Sequence, residues 1–448
     1  MRGPGTDRGR LLLVLATATA VTVFTATVPL LRDWFDLRVY YGTVHTWVHE
    51  DGRIYDYRVP GTPYGFTYPP FAAVAMLPMA LLGRPTVIAV TLLLNLAALA
   101  VVLRILAGAR WRRPGWYGWS LAVCVLALFE PLRDTFSFGQ VNVLLLALVL
   151  ADSWLLATGR GRRAGAGIGL AAAVKLTPAL FIGLLLLGRR WRAAGLATAV
   201  AAAATALAAW VDPAASRFYW TEALWDTSRV GRLAYVSNQS VQGVLARLGA
   251  PERAWWATAA LLVLCVWAWR TRRAVAADNW PAAFALTGLT ACLVSPITWV
   301  HHLVWLLPSF AVLLRAGRPR VVAASYAVLC TSVVWLWVDD ASGVDGFLGS
   351  NVYTWITLGL LLGLPTGQQR SARLPLARSA SATAPTPRPA APAMTPASSQ
   401  PDRPSSGSGA VAAATGAVDG SGLGAGRSAS SEPTGSTCPA AAKPQSSS

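Results

Sequence analysis

An acidic residue, Asp36, stands in a polar loop that follows the first long apolar run of this 448-residue chain. The loop runs to the aromatic and diproline segment TYPPF at 67–71. A carboxylate at the edge of a membrane bundle can accept the proton of a hydroxyl group, so Asp36 is a candidate general base. Two structural alternatives stay open, because Asp36 could cap a helix N-terminus or pair with Arg38.

Lys175 is the second candidate because the chain has only one other lysine, Lys443. Arginine supplies the remaining basic charge, and Lys175 lies within an apolar stretch, close to Pro178. A compact ammonium in such a place could neutralise the charge of a buried phosphate. The alternative is a lysine whose long side chain reaches to the membrane interface.

Further polar residues stand at the ends of apolar runs, where we expect them to face the same side of the membrane. Ionisable groups within membrane segments are costly and are therefore functional candidates. Arg133 and Asp134 could simply pair with each other. The adjacent residues His301 and His302 should point to different sides of a helix, so we expect only one of them to face a cavity. The candidates for binding the phosphate or the substrate are Lys175, His301, His302, Arg133, Asp134, Tyr40, Tyr68, Gln140, Asn142, Asn238 and Gln239.

The elements that must position these residues are long apolar runs. The chain is 54% hydrophobic and only 13% charged, whereas soluble domains carry about 25% charged residues. The runs between Leu11 and Leu364 are continuous and long enough, or nearly so, to cross a bilayer core of roughly 30 Å as helices. We therefore predict an all-α polytopic membrane protein with about twelve spans, roughly ten to thirteen.

The net charge of +18 comes mostly from arginine in short loops, a pattern typical of cytoplasmic loops rather than of nucleic-acid binding. This rule places residues 1–10 in the cytoplasm and the loops 32–68, 131–139, 212–252, 296–300 and 339–350 outside. The stretch 164–187 has basic loops on both sides, so it should cross twice or re-enter, with a helix break at Pro178. The five cysteines show no spacing typical of disulfides or metal sites.

Three segments follow from these patterns. Residues 1–10 form a cytoplasmic N-terminus and residues 11–365 form the transmembrane domain. Residues 366–448 are rich in Ala, Pro and Ser, so we predict a disordered cytoplasmic tail without enough apolar content to fold.

Six short motifs occur in a fixed order along residues 11–365. They are Asp36-Leu37-x-Val39-Tyr40, Phe66-Thr67-Tyr68-Pro69-Pro70-Phe71, Gly139-Gln140-x-Asn142, Lys175-x-Thr177-Pro178, Asn238-Gln239-Ser240 and Ser295-Pro296-x-x-Trp299-x-His301-His302. The ordered set resembles the actinobacterial polyprenyl-phosphate-mannose-dependent α-(1→2)-mannosyltransferases of glycosyltransferase family 87. The resemblance implies the C-type membrane glycosyltransferase (GT-C) fold, with short helices on the outer face in the first loop.

The resemblance also implies a reaction. Mannose would pass with inversion from polyprenyl-phosphate-mannose to a mannosylated lipid, such as a phosphatidylinositol mannoside or lipomannan, on the outer face of the plasma membrane. Asp36 would be the general base, and Lys175, one of the two adjacent histidines and Arg133 would stabilise the departing phosphate. We expect no metal, no cofactor and no nucleic-acid partner.

Two other functions remain open on the sequence alone. A GT-C enzyme could transfer another sugar, such as arabinose, from the same carrier lipid. A polytopic transporter or flippase would instead carry inverted repeats and ionisable groups near the bilayer midplane. The polar residues of this chain cluster on one predicted side, which favours the transferase.

Overall fold

The structure is a computed structural model, and it describes residues 6–27, 33–108, 115–250 and 252–367. Within these ranges the regular elements are helices, and the only paired extended backbone is an isolated antiparallel bridge between Arg58 and Gly65. The predicted all-α class is therefore confirmed. The predicted tail from residue 368 onward and the arginine cluster at 110–113 lie outside the described residues.

Four described helices are long and apolar enough to cross a membrane, judged by length and composition. They are α1 (Asp7–Thr27), α4 (Arg84–Ala107), α10 (Trp191–Val211) and α13 (Arg253–Ala276). The helices α6 (Glu130–Phe138) and α7 (Asn142–Ala157) meet at an angle of 117° and would add a fifth span if counted as one broken helix. The prediction of about twelve spans is not confirmed.

The remaining apolar runs form shorter helices. They are α5 (Gly115–Leu128), α8 (Ala166–Val174), α9 (Leu180–Leu187), α14 (Trp280–Val294), α15 (Leu307–Arg315), α16 (Pro319–Cys330) and α18 (Val352–Gly363). Proline divides several of these runs, since it is tolerated in the first turn of a helix and disrupts the interior. Pro281, Pro308 and Pro319 occupy first turns of this kind. The predicted break near Pro178 is confirmed, because α8 ends at Val174 and a 3₁₀ turn, Thr177–Ala179, precedes α9.

The first polar loop contains the helix α2 (Phe35–His49), and α3 (Pro70–Met76) and a 3₁₀ segment, Leu77–Leu81, follow the loop. A helix in this loop is as predicted, and its position on the outer face stays a prediction. The aromatic side chains of the loop, among them Tyr40, Tyr55 and Phe66, form a hydrophobic core of their own, together with Tyr219 of α11 (Pro213–Thr221). We call this the first-loop core.

The larger hydrophobic core lies among the long helices. Its central element is α14, in which nearly every residue from Trp280 to Leu293 is buried. A helix that is apolar on all sides suits a protein core or a membrane span, and here α13, α15 and α18 pack against it. The short helices α12 (Val241–Arg247) and α17 (Gly343–Gly349) lie in the loops that connect these elements.

Candidate active site

A cavity of about 750 Å³ lies between the first-loop core and the larger core. This volume is typical of a site for a small molecule or a substrate head group. Seven of the twelve predicted site residues line it, and they come from five separate parts of the sequence. These residues are Asp36, Tyr40, Tyr68, Gln140, Lys175, His301 and His302.

Asp36 is held in place by a close contact between α2 and the end of α6. The backbone N–H of Trp34, at the start of α2, donates to the carbonyl oxygen of Ser137 at 3.1 Å. Gly139 follows α6 with φ of 71°, and a Cβ there would lie 2.7 Å from Cβ of Leu37. Only glycine permits both this backbone conformation and this approach. The first turn of α2, which carries Asp36, is thereby fixed against the 139–142 turn.

Neither structural alternative accounts for Asp36. Trp34 occupies the N-cap position of α2, and Nη1 of Arg38 donates to Oδ2 of Asp33 at 2.6 Å instead. The Oδ2 atom of Asp36 is buried and has no hydrogen-bond partner in the described part of the chain. Burial raises the pKa of Asp36 from 3.8 to about 6, although a hydrogen bond from Gln140 opposes this shift. A buried carboxylate of this kind can accept a proton near neutral pH.

A chain of hydrogen bonds supports the other oxygen of this carboxylate. The hydroxyl of Tyr40 donates to that of Tyr68 at 2.9 Å, and Tyr68 donates to Oε1 of Gln140 at 3.1 Å. Because Oε1 of Gln140 accepts, its Nε2 is the group that donates to the Asp36 carboxylate. The amide thus holds one oxygen of Asp36 and leaves the other without a hydrogen-bond partner among the described residues.

Lys175 lies where α8 ends, and its extended backbone (φ −146°, ψ 130°) interrupts the helix. Its Nζ donates to Oδ1 of Asn142 at 3.1 Å and lies 2.7 Å from Nε2 of His302. It also lies 5.2 Å from the ring centroid of Tyr68. Nδ2 of Asn142 donates to the carbonyl oxygen of His301 at 3.3 Å. Residues of three other sequence motifs therefore meet at this amine.

Both adjacent histidines line the cavity, so the expectation that only one of them would do so is wrong. They lie in a 3₁₀ helix, Val300–Leu306, whose three residues per turn separate neighbouring side chains by about 120°. The His301 ring packs edge-on against Phe138, with centroids 5.2 Å apart, and against His302 at 4.6 Å. Nδ1 of His302 accepts the backbone N–H of Trp299 at 3.0 Å.

Arg133 and Asp134 are not among the residues that line the cavity. Nη2 of Arg133 donates to Oγ of Ser332 at 2.8 Å, and its guanidinium lies 5.7 Å from the ring centroid of Phe24. Asp134 is buried in α6. The geometry favours a role for Arg133 in joining helices, and a direct contact of either residue with substrate stays a prediction.

Asn238 and Gln239 are fully buried and are held by backbone groups. Nδ2 of Asn238 donates to the Pro296 carbonyl at 3.2 Å, and its Oδ1 accepts the N–H of Thr298 at 2.9 Å. Nε2 of Gln239 donates to the Ser350 carbonyl at 2.7 Å, and its Oε1 accepts from Thr354. These amides join loops that surround the cavity, and their predicted contact with substrate stays untested.

Two arginines of the cavity wall were missing from the predicted site. Nη2 of Arg229 donates to the Tyr55 carbonyl at 3.2 Å, and its guanidinium lies 5.2 Å from the Phe218 ring. Arg232 lies 6.0 Å from the ring centroid of Tyr235. A signal was present in the sequence. Both arginines stand in a loop that the charge rule assigns to the outside, so the excess of arginine in cytoplasmic loops does not account for them.

A buried acid behind the cavity was also missed. Both carboxylate oxygens of Glu130 accept hydrogen bonds, from Nε1 of Trp335 at 2.6 Å and from the hydroxyl of Tyr353 at 2.5 Å. Trp335 lines the cavity, so the hydrogen bond from its indole to Glu130 fixes the orientation of one side chain of the cavity wall.

The described residues contain no group of three or more His, Cys, Asp or Glu side chains that could hold a metal ion. The expectation of metal-independent chemistry stays a prediction.

Known proteins resemble this chain over most of its length. It is 37% identical over 327 residues to a polyprenol-phosphate-mannose-dependent α-(1-2)-phosphatidylinositol mannoside mannosyltransferase of Mycobacterium tuberculosis H37Rv, with 68% of this chain and 73% of the relative covered. The protein of the same name from Mycolicibacterium smegmatis is 35% identical over 370 residues, with 77% and 76% covered. A polyprenol-phosphate-mannose-dependent α-(1-2)-phosphatidylinositol pentamannoside mannosyltransferase of M. tuberculosis CDC 1551 is 33% identical over 312 residues, with 67% and 71% covered. No solved structure matches the chain significantly.

The profile described as glycosyltransferase family 87 matches residues 66–296. This match includes Gln140 and Lys175, whereas Asp36 precedes it and His302 follows it. Together with the relatives, it confirms the predicted family and the predicted hexosyltransferase class. The chain therefore belongs to glycosyltransferase family 87.

Proposed function

We propose that this enzyme transfers mannose from polyprenyl-phosphate-mannose to a phosphatidylinositol mannoside, with inversion, on the outer face of the plasma membrane. The names of the relatives support the donor and the acceptor class. The observation that carries the mechanism is the buried Oδ2 atom of Asp36, without a hydrogen-bond partner among the described residues, in a cavity that also contains Lys175.

The proposed reaction is a single displacement. A hydroxyl oxygen of the acceptor attacks the anomeric carbon of mannose from the face opposite the phosphate. A new glycosidic carbon–oxygen bond forms while the bond between the anomeric carbon and the phosphate oxygen breaks. Asp36 Oδ2 takes the hydroxyl proton, and polyprenyl phosphate leaves with the bonding electrons. One displacement inverts the anomeric centre, so a β-linked donor gives an α-linked product.

The cavity also offers groups that suit a phosphate leaving group. Lys175, His302 and the two wall arginines, Arg229 and Arg232, can donate hydrogen bonds to its oxygens. Charge-assisted hydrogen bonds of this kind stabilise the negative charge that develops on the departing phosphate. The outward orientation of the cavity and the GT-C fold are part of the proposal, and the distribution of arginine among the loops supports that orientation.

The test is a transfer assay with the purified protein in lipid nanodiscs. Radiolabelled polyprenyl-phosphate-mannose and a phosphatidylinositol mannoside should give a labelled lipid whose new sugar an α-(1→2)-mannosidase releases. Transfer from polyprenyl-phosphate-arabinose but not from the mannose donor would support the other-sugar alternative. Solute uptake into proteoliposomes without any glycosyl product would support a transporter.

A further inference from the structure

The start of the 3₁₀ helix Val300–Leu306 determines which nitrogen of His302 carries the proton. The backbone N–H of Trp299, at the N-cap position, donates to Nδ1 of His302 at 3.0 Å. A ring nitrogen that accepts a hydrogen bond carries no proton, so the neutral imidazole has its proton on Nε2. That Nε2 atom lies 2.7 Å from Nζ of Lys175.

The short distance between these two nitrogens requires one donor and one acceptor. A lysine ammonium has three donors and no acceptor. A charged Lys175 would therefore face the N–H of His302 with another N–H. A neutral amine satisfies every contact, because Nε2–H of His302 donates to the lone pair of Nζ. Nζ in turn donates one of its own hydrogens to Oδ1 of Asn142 at 3.1 Å.

We propose that Lys175 and His302 form a neutral pair before the donor binds, and that binding of the donor phosphate takes up one proton from solvent. This inference rests on the proposed function. The proton adds to the lone pair of Nζ, and the hydrogen bond from Nε2–H to Nζ breaks. The ammonium of Lys175 and the Nε2–H of His302 then both donate to phosphate oxygens.

Charge balance gives the physical reason for this coupling. The phosphodiester of the donor carries one negative charge, and burying an uncompensated charge is costly. Creating one positive charge at Lys175 as the phosphate arrives leaves the net charge of the site unchanged. No carboxylate oxygen of the described residues lies within 4.0 Å of Nζ, so an ammonium present beforehand would be a buried charge without a directly contacting carboxylate, and only the more distant Asp36 would favour it.

Other titratable groups face this pair and must be separated from it by experiment. Asp36 and Tyr68 line the same cavity, and the Tyr68 ring centroid lies 5.2 Å from the lysine Nζ. From α14, Sγ of Cys292 donates to the carbonyl oxygen of His302 at 3.7 Å. The His301 ring lies 4.6 Å from that of its neighbour. Among these four, only Asp36 and His301 belong to residue types whose reference pKa values lie below 7.

The decisive measurement is proton uptake on donor binding by the Asp36→Asn protein in nanodiscs. This substitution slows turnover strongly and also removes the competing acid. A short-chain prenyl-phosphate-mannose is titrated calorimetrically near neutral pH, in two buffers of different ionisation enthalpy. We expect an uptake of about one proton per bound donor, equivalent to binding up to about tenfold tighter for each pH unit of acidification. Binding without proton uptake would overturn the proposal.

Two further variants in the same background assign the proton. Lys175→Arg keeps a positive charge that cannot be released, so we expect donor binding without proton uptake. His301→Gln is the matched control and should retain the uptake. Uptake that survives Lys175→Arg, or that disappears in His301→Gln, would place the proton elsewhere and refute the neutral pair.

The pH dependence of donor affinity in the Asp36→Asn protein is a second measurement, and it requires no change at Lys175. An affinity that is constant with pH would contradict the proposal even if Lys175→Arg did not fold. The measurements also distinguish failure of the neutral pair from failure of the proposed function. A wild-type enzyme that transfers mannose, together with donor binding that takes up no proton, leaves the function intact and removes the pair. A protein that binds no prenyl-phosphate-mannose contradicts the function itself.

Discussion

Two walls of the cavity are hydrogen-bonded in different ways. On the acid wall, formed by Asp36, Gln140 and Tyr68, a chain of donors ends on a carboxylate with one buried oxygen left open. On the amine wall, formed by Lys175 and His302 with the buried Asn142 behind them, the lysine nitrogen is hydrogen-bonded to both of these neighbours. The acid wall has an oxygen available to accept a proton, whereas in the proposed neutral pair the amine wall must gain a proton and lose the hydrogen bond from His302 before Lys175 can carry a positive charge toward a phosphate.

One short segment connects the two walls. Gln140 and Asn142 are two residues apart in the 139–142 turn, and the first supports Asp36 while the second supports Lys175. The turn depends on the left-handed backbone of Gly139. A shift of this turn would therefore disturb the base and the amine together, whereas single side-chain substitutions should separate their contributions.

The largest effect should come from the acid wall. We expect Asp36→Asn to lower kcat by about 10²–10⁴-fold, the usual contribution of a general base, with little change in affinity for the donor. The measurement is the initial rate of mannose transfer at saturating donor, combined with donor binding by calorimetry.

Asp33→Asn is the matched control for this substitution. Asp33 lies three residues earlier, its side chain is 70% exposed, and it pairs with Arg38. An exposed pair contributes little, so this variant should keep nearly full activity. Near-normal turnover by Asp36→Asn, or an equal loss in Asp33→Asn, would show that Asp36 is not the base.

The amine wall should respond in a different kinetic parameter. Lys175→Met removes a charged donor to the phosphate, which is worth about 1.5–3 kcal/mol, so the KM for the donor should rise roughly 10–100-fold. The KM for the acceptor should stay close to that of the wild type. Steady-state kinetics with each substrate varied in turn will show this. Because the same amine also stabilises the departing phosphate, kcat should fall as well. An unchanged donor KM would mean that Lys175 does not bind the phosphate of the donor.

The sequence predicted the residues whose type is unusual for their surroundings. Asp36 and Lys175 stood out because a carboxylate beside a first span and a lone lysine in an apolar run have few structural explanations. The motifs around Gln140 and His302 added the partners that the structure places beside them. The structure brings these residues together in one cavity, and their roles in catalysis and binding stay predictions.

The sequence could not separate buried amides that hold the fold from amides that face the cavity. Gln140 and Gln239 look alike in the chain, but the bonds of Gln239 go to Ser350 and Thr354, more than 100 residues away. Such pairings depend on tertiary structure and leave no local pattern. The predicted count of about twelve spans is not confirmed, and hydropathy alone does not show where 3₁₀ turns divide an apolar run into shorter helices.

A moderate effect is expected in the pH dependence. Wild-type kcat/KM should fall as the pH drops through about 6, because the protonated form of Asp36, whose pKa burial raises to this value, cannot accept the hydroxyl proton. Gln140→Leu removes a hydrogen bond that favours the charged carboxylate, so the acidic limb should move to higher pH, and the rate near pH 7 should fall roughly tenfold. Tyr40→Phe keeps the bond between Gln140 and Asp36 and should leave the position of the limb unchanged. If the acidic limb of the pH profile did not move in Gln140→Leu, Gln140 would not influence the ionisation of Asp36.

The smallest effect on turnover should come from a buried amide outside both walls. Gln239→Leu leaves the Ser350 carbonyl and the Thr354 N–H without their partners, and each unsatisfied buried group costs about 1–3 kcal/mol. The melting temperature should therefore fall, while kcat and donor KM per folded molecule stay near those of the wild type. Thermal unfolding in detergent, with rates normalised to the folded fraction, distinguishes the two effects. If Gln239→Leu kept its stability but bound the donor as poorly as Lys175→Met, this amide would be a substrate ligand, and the amine wall would extend farther than the structure indicates.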